Sequence, residues 1–436
     1  MRASHAPAHR PDRSARPRVT RALLVALLAL VLAGCGSSTT IQGGNDAFSA
    51  TTLTVYSVLP MLGPDGARMT EIVNGEALAL YEAGGHVGPL HVSLDATNDA
   101  DSPLISPDAL HGDTARTAQA AHVASSDLST VAYIGGYTSA ETALSLPLSN
   151  ENDVLQISPG SPYVGFTDPS PAALPADPTA LYPNHVRTFA RLVPSQAVEA
   201  TATVRFMRSL RVRRLFVLTD ASNPPYDSAI AALVAAAAPA AGITVAGARN
   251  GIDTRSLTRR VAYGAVVSAV AAAHPDAILL GATANVGADA LSRALHARLP
   301  VARLFVPSTL ATPAFLAGLR AAATATYVTS PILELAQYPP PAQRVLAQYR
   351  RLYGLTPSPF VLYGYEAMHD VLLAIAKAYP YAAQRDRLLA AFHRLGVIHG
   401  VIGDYSINAA GDTSLASFDG YRVSATGALV LLRRIS

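Results

Sequence analysis

An α/β fold, parallel sheets flanked by helices, follows from three observations on this 436-residue sequence. From residue 52 onward short β-like runs alternate with helical stretches, the order that βα units produce. Half of the residues are hydrophobic and 14% are charged, without Trp and with a single Cys, which describes a globular chain rich in small apolar residues and excludes a disordered one. At about 150 residues per domain the length gives two or three compact units, and no repeat of about 20–50 residues points to a solenoid.

In chain order, the first segment is basic. Arg2, Arg10, Arg13, Arg16, Arg18 and Arg21 carry much of the excess of 33 Lys and Arg over 30 Asp and Glu, a nominal +3. The remainder is close to neutral and lacks the basic footprint of a nucleic-acid binder. Residues 22–33 form an apolar run too short to span a hydrocarbon core of about 30 Å. Positive, then apolar, then small residues read as a secretory signal over 1–34. Leu32-Ala33-Gly34-Cys35 resembles a bacterial lipobox, whose Cys thiol receives a lipid before cleavage in front of it. The alternative is an ordinary signal or an uncleaved anchor in which Cys35 is incidental. Residues 35–51, rich in Gly, Ser, Thr and Asn, read as a flexible tether. As Cys35 is the only cysteine, no disulfide, cysteine nucleophile or thiolate metal site is expected.

Strands are expected at 53–59, 90–95, 131–134, 154–157, 215–219, 243–246, 277–280, 304–306 and 327–329, with helices at 71–83, 113–125, 139–150, 196–209, 227–240, 257–273, 287–298 and 313–322. The Pro-rich stretch 167–179 separates two sets of βα units, because it suits neither helix nor central strand. Longer helices follow at 341–352 and 361–378. The tail, 400–434, alternates β-like runs with turn signals at Ala410-Gly411-Asp412 and Thr426-Gly427.

Ligands of such sheets sit at the carboxyl ends of strands, where loops meet helix N-termini. Four segments have that form: 59–66, 134–139, 157–162 and 219–226. Pro60-Met-Leu-Gly-Pro64 with Asn74-Gly75, then Tyr133-Ile-Gly-Gly-Tyr-Thr-Ser-Ala140, then Ile157-Ser-Pro-Gly160 occur in order. They are followed by Arg187-Thr-Phe-Ala-Arg-Leu-Val-Pro-Ser195, Tyr363-Gly-Tyr-Glu-Ala367 and the stretch 400–412. In this order and spacing the chain resembles the periplasmic-binding-protein type I solute receptors, specifically the branched-chain amino-acid (leucine/isoleucine/valine-binding) family that feeds ABC importers. The resemblance implies two Rossmann-like lobes joined by a three-segment hinge and closing on ligand. Carried onto this chain, lobe 1 holds 52–192 and 306–412, and lobe 2 holds 193–305 and 413–436.

The same resemblance nominates site residues. Ser139 falls where the family's loop serine holds the ligand carboxylate; the alternative role is an N-cap without ligand contact. Tyr137 abuts the ligand in similar proteins or is a packing residue. Gly160 and Ser161 stand where the family offers a carbonyl and an N–H to an amino-acid head group, or form a simple turn. Pro162 departs from the family's Thr, removing a hydroxyl and an N–H. Tyr226 is placed like the second lobe's closing tyrosine, or is a rim aromatic. Arg68 replaces an aromatic and either favours a second anionic group on the ligand or extends to solvent. Asp253 is the nearest acid for an ammonium.

No Gly-x-Ser-x-Gly elbow, phosphate loop or His-Glu-x-x-His helix occurs, and the histidines form no ligand-spaced pair, so no enzyme, cofactor or metal is expected. The expected function is that of an extracytoplasmic, lipid-anchored monomer. It captures a small polar solute, branched-chain amino acids by default, and delivers it to an ABC permease with its ATPase. The alternatives are a sensory module of the same fold that signals to a receptor or kinase, and a lipid-anchored hydrolase.

Overall fold

Strands buried on both faces must be apolar at successive positions, and the runs 130–134, 155–158 and 277–281 of this chain are buried throughout. The computed structural model describes residues 52–63, 65–100, 113–168, 178–223, 225–254, 260–283 and 287–435. All of them belong to one unit, Phe48–Ser436. The expected signal over 1–34, Cys35 and the tether over 35–51 lie outside the described residues.

The first lobe runs β1 (Thr52–Leu59), α1 (Gly66–Glu82), β2 (His86–Val87), β3 (Leu90–Asn98), α2 (Thr114–Ser126), β4 (Thr130–Ile134), α3 (Ser139–Glu151), β5 (Leu155–Ser158) and β6 (Phe189–Arg191). The second runs α4 (Gln196–Ser209), β7 (Arg214–Asp220), α5 (Tyr226–Ala237), β8 (Thr244–Ile252), α6 (Arg260–Ala272), β9 (Ala277–Gly281), α7 (Ala288–Arg298), β10 (Arg303–Pro307), α8 (Pro313–Gly318) and β11 (Thr326–Ser330). The chain returns to the first lobe as α9 (Pro340–Tyr353), α10 (Phe360–Ala378), α11 (Arg385–Phe392) and the hairpin β12 (Ile398–Gly400) and β13 (Gly403–Tyr405). It ends in the second with β14 (Phe418–Val423) and β15 (Leu429–Ile435).

The first sheet has the order β2-β3-β1-β4-β5-β6, parallel except for β2. The second has the order β15-β14-β11-β10-β9-β7-β8, with its C-terminal hairpin antiparallel. Side-chain alternation explains the layering: Phe216 and Leu218 of β7 join α6 and α7 in one core, and Leu215 and Val217 join α4 and α5 in the other. In the first lobe α1 and α10 pack closely at two glycines. A Cβ on Gly75 would stand 2.1 Å from the Val361 carbonyl oxygen, and one on Gly364 would stand 1.9 Å from that of Ile72.

Three crossovers join the lobes, at 192–195, 331–339 and 406–417. The second lies after β11, and so corrects the boundary expected at 306. Because β10 pairs with both β9 and β11, residues 306–330 travel with the second sheet. A short apolar strand does not announce which sheet it joins. Elements outside the expected ranges include β2, α11, and β6, whose three residues include the charged Arg191. Strand β8 continues to Ile252, past the expected end at 246.

Glu76, on the buried face of α1, has no exposed surface. Burial raises its carboxyl to about 8, and the neighbouring Ser57 hydroxyl offsets only part of that rise. A carboxyl that binds its proton more tightly when folded contributes stability that is complete below its unfolded value and is lost as pH rises to about 8. Glu76→Gln is therefore expected to raise the thermal midpoint by several degrees at pH 8 and little at pH 5; an equal change at both would contradict this cause.

Candidate functional site

The carboxyl ends of the first sheet face those of the second across a cleft of about 430 Å³. On the first-lobe side, the start of α1 supplies Asp65, Arg68 and Met69, the turn into α3 supplies Tyr137, Thr138 and Ser139, and the loop after β5 supplies Pro159, Gly160 and Pro162. The start of α10 adds Ser358 and Phe360.

The turn into α3 is fixed by a capping box. The Glu141 N–H donates to Thr138 Oγ1 at 3.3 Å, and the Thr138 N–H donates to Glu141 Oε2 at 2.9 Å. Thr138, not Ser139, is thus the N-cap, and the cap makes no use of the Ser139 hydroxyl. That hydroxyl accepts from Ser161 Oγ at 3.3 Å and lines the cleft at the first position of the helix. There the leading N–H groups have no intrahelical acceptor.

Tyr137 and Gly160 are in direct contact: a Cβ on Gly160 would stand 2.4 Å from the Tyr137 ring. Tyr137 also meets Phe360 edge to face, with centroids 6.2 Å apart. The Arg68 guanidinium lies 5.2 Å from the Phe360 centroid and 3.4 Å from Asp65 Oδ1. Burial raises the Tyr137 hydroxyl well above its ordinary value, the Arg68 charge offsetting part, so it stays a neutral donor. Among the described residues, this side of the cleft is an aromatic wall with one cation.

The second lobe contributes small polar groups: Asn223, Thr283, and the stretch from Ser308 to Thr312, with Tyr421 and Leu429 behind. Buried acids hold them from below. Asp227 accepts the N–H of Thr283 at 2.6 Å and that of Asn223 at 3.1 Å. Glu199 accepts the N–H of Ser308 at 2.8 Å. Asp419 accepts the N–H of Glu334, another cleft residue, at 3.0 Å, and the Tyr421 hydroxyl at 3.1 Å. Burial raises both Glu199 and Asp227 to about 7, with Asp220 adding to the rise at Asp227.

Of the nominated residues, Arg68, Tyr137, Ser139 and Gly160 come together on the cleft. Ser161 lies beneath it, fully buried, with its N–H donated to Ser158 Oγ at 2.9 Å. Tyr226 is set into the hinge side, its ring 4.9 Å from that of Tyr163 and its hydroxyl raised to about 12 by burial. Asp253 is exposed, just past β8, away from the cleft lining. Sequence reasoning missed Phe360, Thr283 and the Ser308–Thr312 stretch. The strand-end rule reaches the last two, since they follow β9 and β10.

A family profile described as periplasmic binding protein matches residues 58–427. No curated protein matches by sequence. Among solved structures, a leucine-binding protein from Thermotoga maritima is 20% identical with a TM-score of 0.69, covering 88% of this chain and 99% of that one. A branched-chain amino-acid binding protein from Streptococcus pneumoniae, in complex with isoleucine, is 16% identical with a TM-score of 0.66, covering 88% and 99%. A solute-binding protein of an ABC transporter from R. palustris, in complex with benzoate, is 15% identical with a TM-score of 0.64, covering 88% and 96%.

Asp227→Ala is expected to leave two loop N–H groups without an acceptor, costing on the order of 1–3 kcal/mol in urea unfolding. Amide exchange at Asn223 and Thr283 is expected to rise with it; unchanged protection there would show that the loops hold themselves.

Proposed function

The chain belongs to the periplasmic binding protein family, and from that premise we propose that it captures a small carboxylate-bearing solute between its lobes and delivers it to an ABC importer. The observation that carries this reading is the Ser139 hydroxyl at the start of α3, outside the helix cap and on the wall of a cleft lined by both lobes. A carboxylate there exchanges its water for a hydroxyl and for N–H groups at the positive end of a helix. The output is a closed-state population set by differential affinity, with no covalent step.

Branched-chain amino acids are the family's default ligand. A second reading, an aromatic carboxylate, is favoured by the wall of Tyr137, Phe360 and Arg68. Among the described residues lining the cleft, the acids are Asp65, paired with Arg68, and the exposed Glu334. Neither is a second-lobe acid set against an ammonium. The benzoate-bound relative shares this fold.

The protein is further proposed to be anchored outside the cytoplasmic membrane through a lipid on Cys35. No helix among the described residues is long and apolar enough to cross a membrane. Cys35→Ser is expected to shift the protein from the detergent to the aqueous phase on Triton X-114 partition; unchanged partition would remove the lipid from the proposal.

Thermal-shift screening of the purified protein against amino acids and aromatic carboxylates, followed by calorimetry, tests capture. A ligand at 100 times its Kd adds about 2.7 kcal/mol of stability. Ser139→Ala is expected to weaken the best hit about tenfold without moving the unliganded midpoint. Unchanged affinity takes Ser139 out of the site.

A further inference from the structure

Arg191, the last residue of β6, has a side chain with no exposed surface, and every nitrogen of its guanidinium is used. Nε donates to Asp412 Oδ1 at 2.7 Å. Nη1 donates to the Tyr163 carbonyl at 2.7 Å and to the Ser161 carbonyl at 3.3 Å. Nη2 donates to the Thr167 hydroxyl, which itself stands 3.1 Å from Asp412 Oδ1. The Arg191 backbone N–H donates to the Gly411 carbonyl at 3.0 Å.

These partners belong to two pieces of chain with different jobs. Ser161 and Tyr163 flank Pro162 in the loop that carries Gly160 and Pro162 to the cleft. Gly411 and Asp412 lie in the third crossover between the lobes. The same loop meets the second lobe twice: the Pro162 carbonyl accepts the Gln196 N–H at 2.8 Å, and the Tyr163 ring packs against Tyr226. Burying a guanidinium is expensive unless each donor is satisfied, and the return for such a site is a fixed geometry. Lysine offers three donors from a single nitrogen and lacks the rigid planar fork by which the guanidinium reaches these separated acceptors.

We propose that Arg191 is the positioning residue of the cleft: it sets Gly160 and Pro162 against the solute and ties that setting to the third crossover, so that lobe movement and solute fit are coupled. This rests on the solute-capture reading given above.

The test compares Arg191→Lys with Thr167→Val, which removes the Nη2 contact and the Thr167–Asp412 contact while leaving the Arg191 contacts to both loop carbonyls and to Asp412 in place. Without ligand, hydrogen exchange over 159–163 is expected to accelerate at least tenfold in Arg191→Lys and to stay near wild type in Thr167→Val. With L-leucine and benzoate as probes, Arg191→Lys is expected to weaken whichever binds by about tenfold and to reduce the probe-induced fall in radius of gyration measured by X-ray scattering. Thr167→Val is expected to keep the affinity within twofold. Should Arg191→Lys not fold, Asp412→Asn takes its place, with the same loss of contraction expected. Unchanged exchange over 159–163 in a folded variant overturns the proposal whether or not a probe binds. Failure of both probes to bind the wild type, with exchange behaving as expected, counts against the capture reading and leaves the positioning role standing.

Discussion

Loops at the rim of a cleft have no ladder of their own to pair their backbone groups, and in this protein buried ionisable side chains take that role. Asp227 holds the loops after β7 and β9, Glu199 the loop after β10, Asp419 the second crossover, and Arg191 the loop after β5. Each ionisable group is costly to bury, and each meets at least one backbone group at hydrogen-bond distance, which ties down cleft walls that are built of loops. The remaining architecture, two sheets with helices on both faces, sets the strand ends opposite one another so that these loops meet.

On the capture reading, braced walls and three crossovers divide the work of binding. The walls present preformed donors, which reduces the ordering cost of holding a small solute. The crossovers are three separate segments, so a change in lobe angle must be absorbed by all of them. Arg191 and Asp419 stand where wall and crossover touch, and the pairing of Tyr163 with Tyr226 carries contact across the lobes. Affinity on this reading comes from the closed state, in which second-lobe hydroxyls and amides complete what the aromatic wall begins.

Much of the fold was legible because strands and helices differ in period and end on recognisable residues. Helix α4 matches its expected span of 196–209, and α3 starts at Ser139 as expected, since Thr138 and Glu141 form a local cap. The first-lobe part of the cleft was legible for the same reason: Tyr137 and Ser139 are neighbours in sequence, and Gly160 closes the next strand. Less legible was whatever depends on distant contacts. Strand β6 holds a charged residue because Asp412, more than 200 residues away, neutralises it. The crossing near 306 was misplaced because strand order is a tertiary property. Phe360 reaches the cleft only through the packing of α10 on α1, and Tyr226 turns into the hinge to meet Tyr163, contacts that no local pattern encodes.

The most direct test is native mass spectrometry of the full-length protein, first as purified from its own cell envelope and then with a library of carboxylates, neutral amides and amines. One carboxylate bound per chain, released unchanged on denaturation, is the expected result. Exclusive binding of amines or neutral compounds, or conversion of the added compound into a product, would contradict carboxylate capture between the lobes.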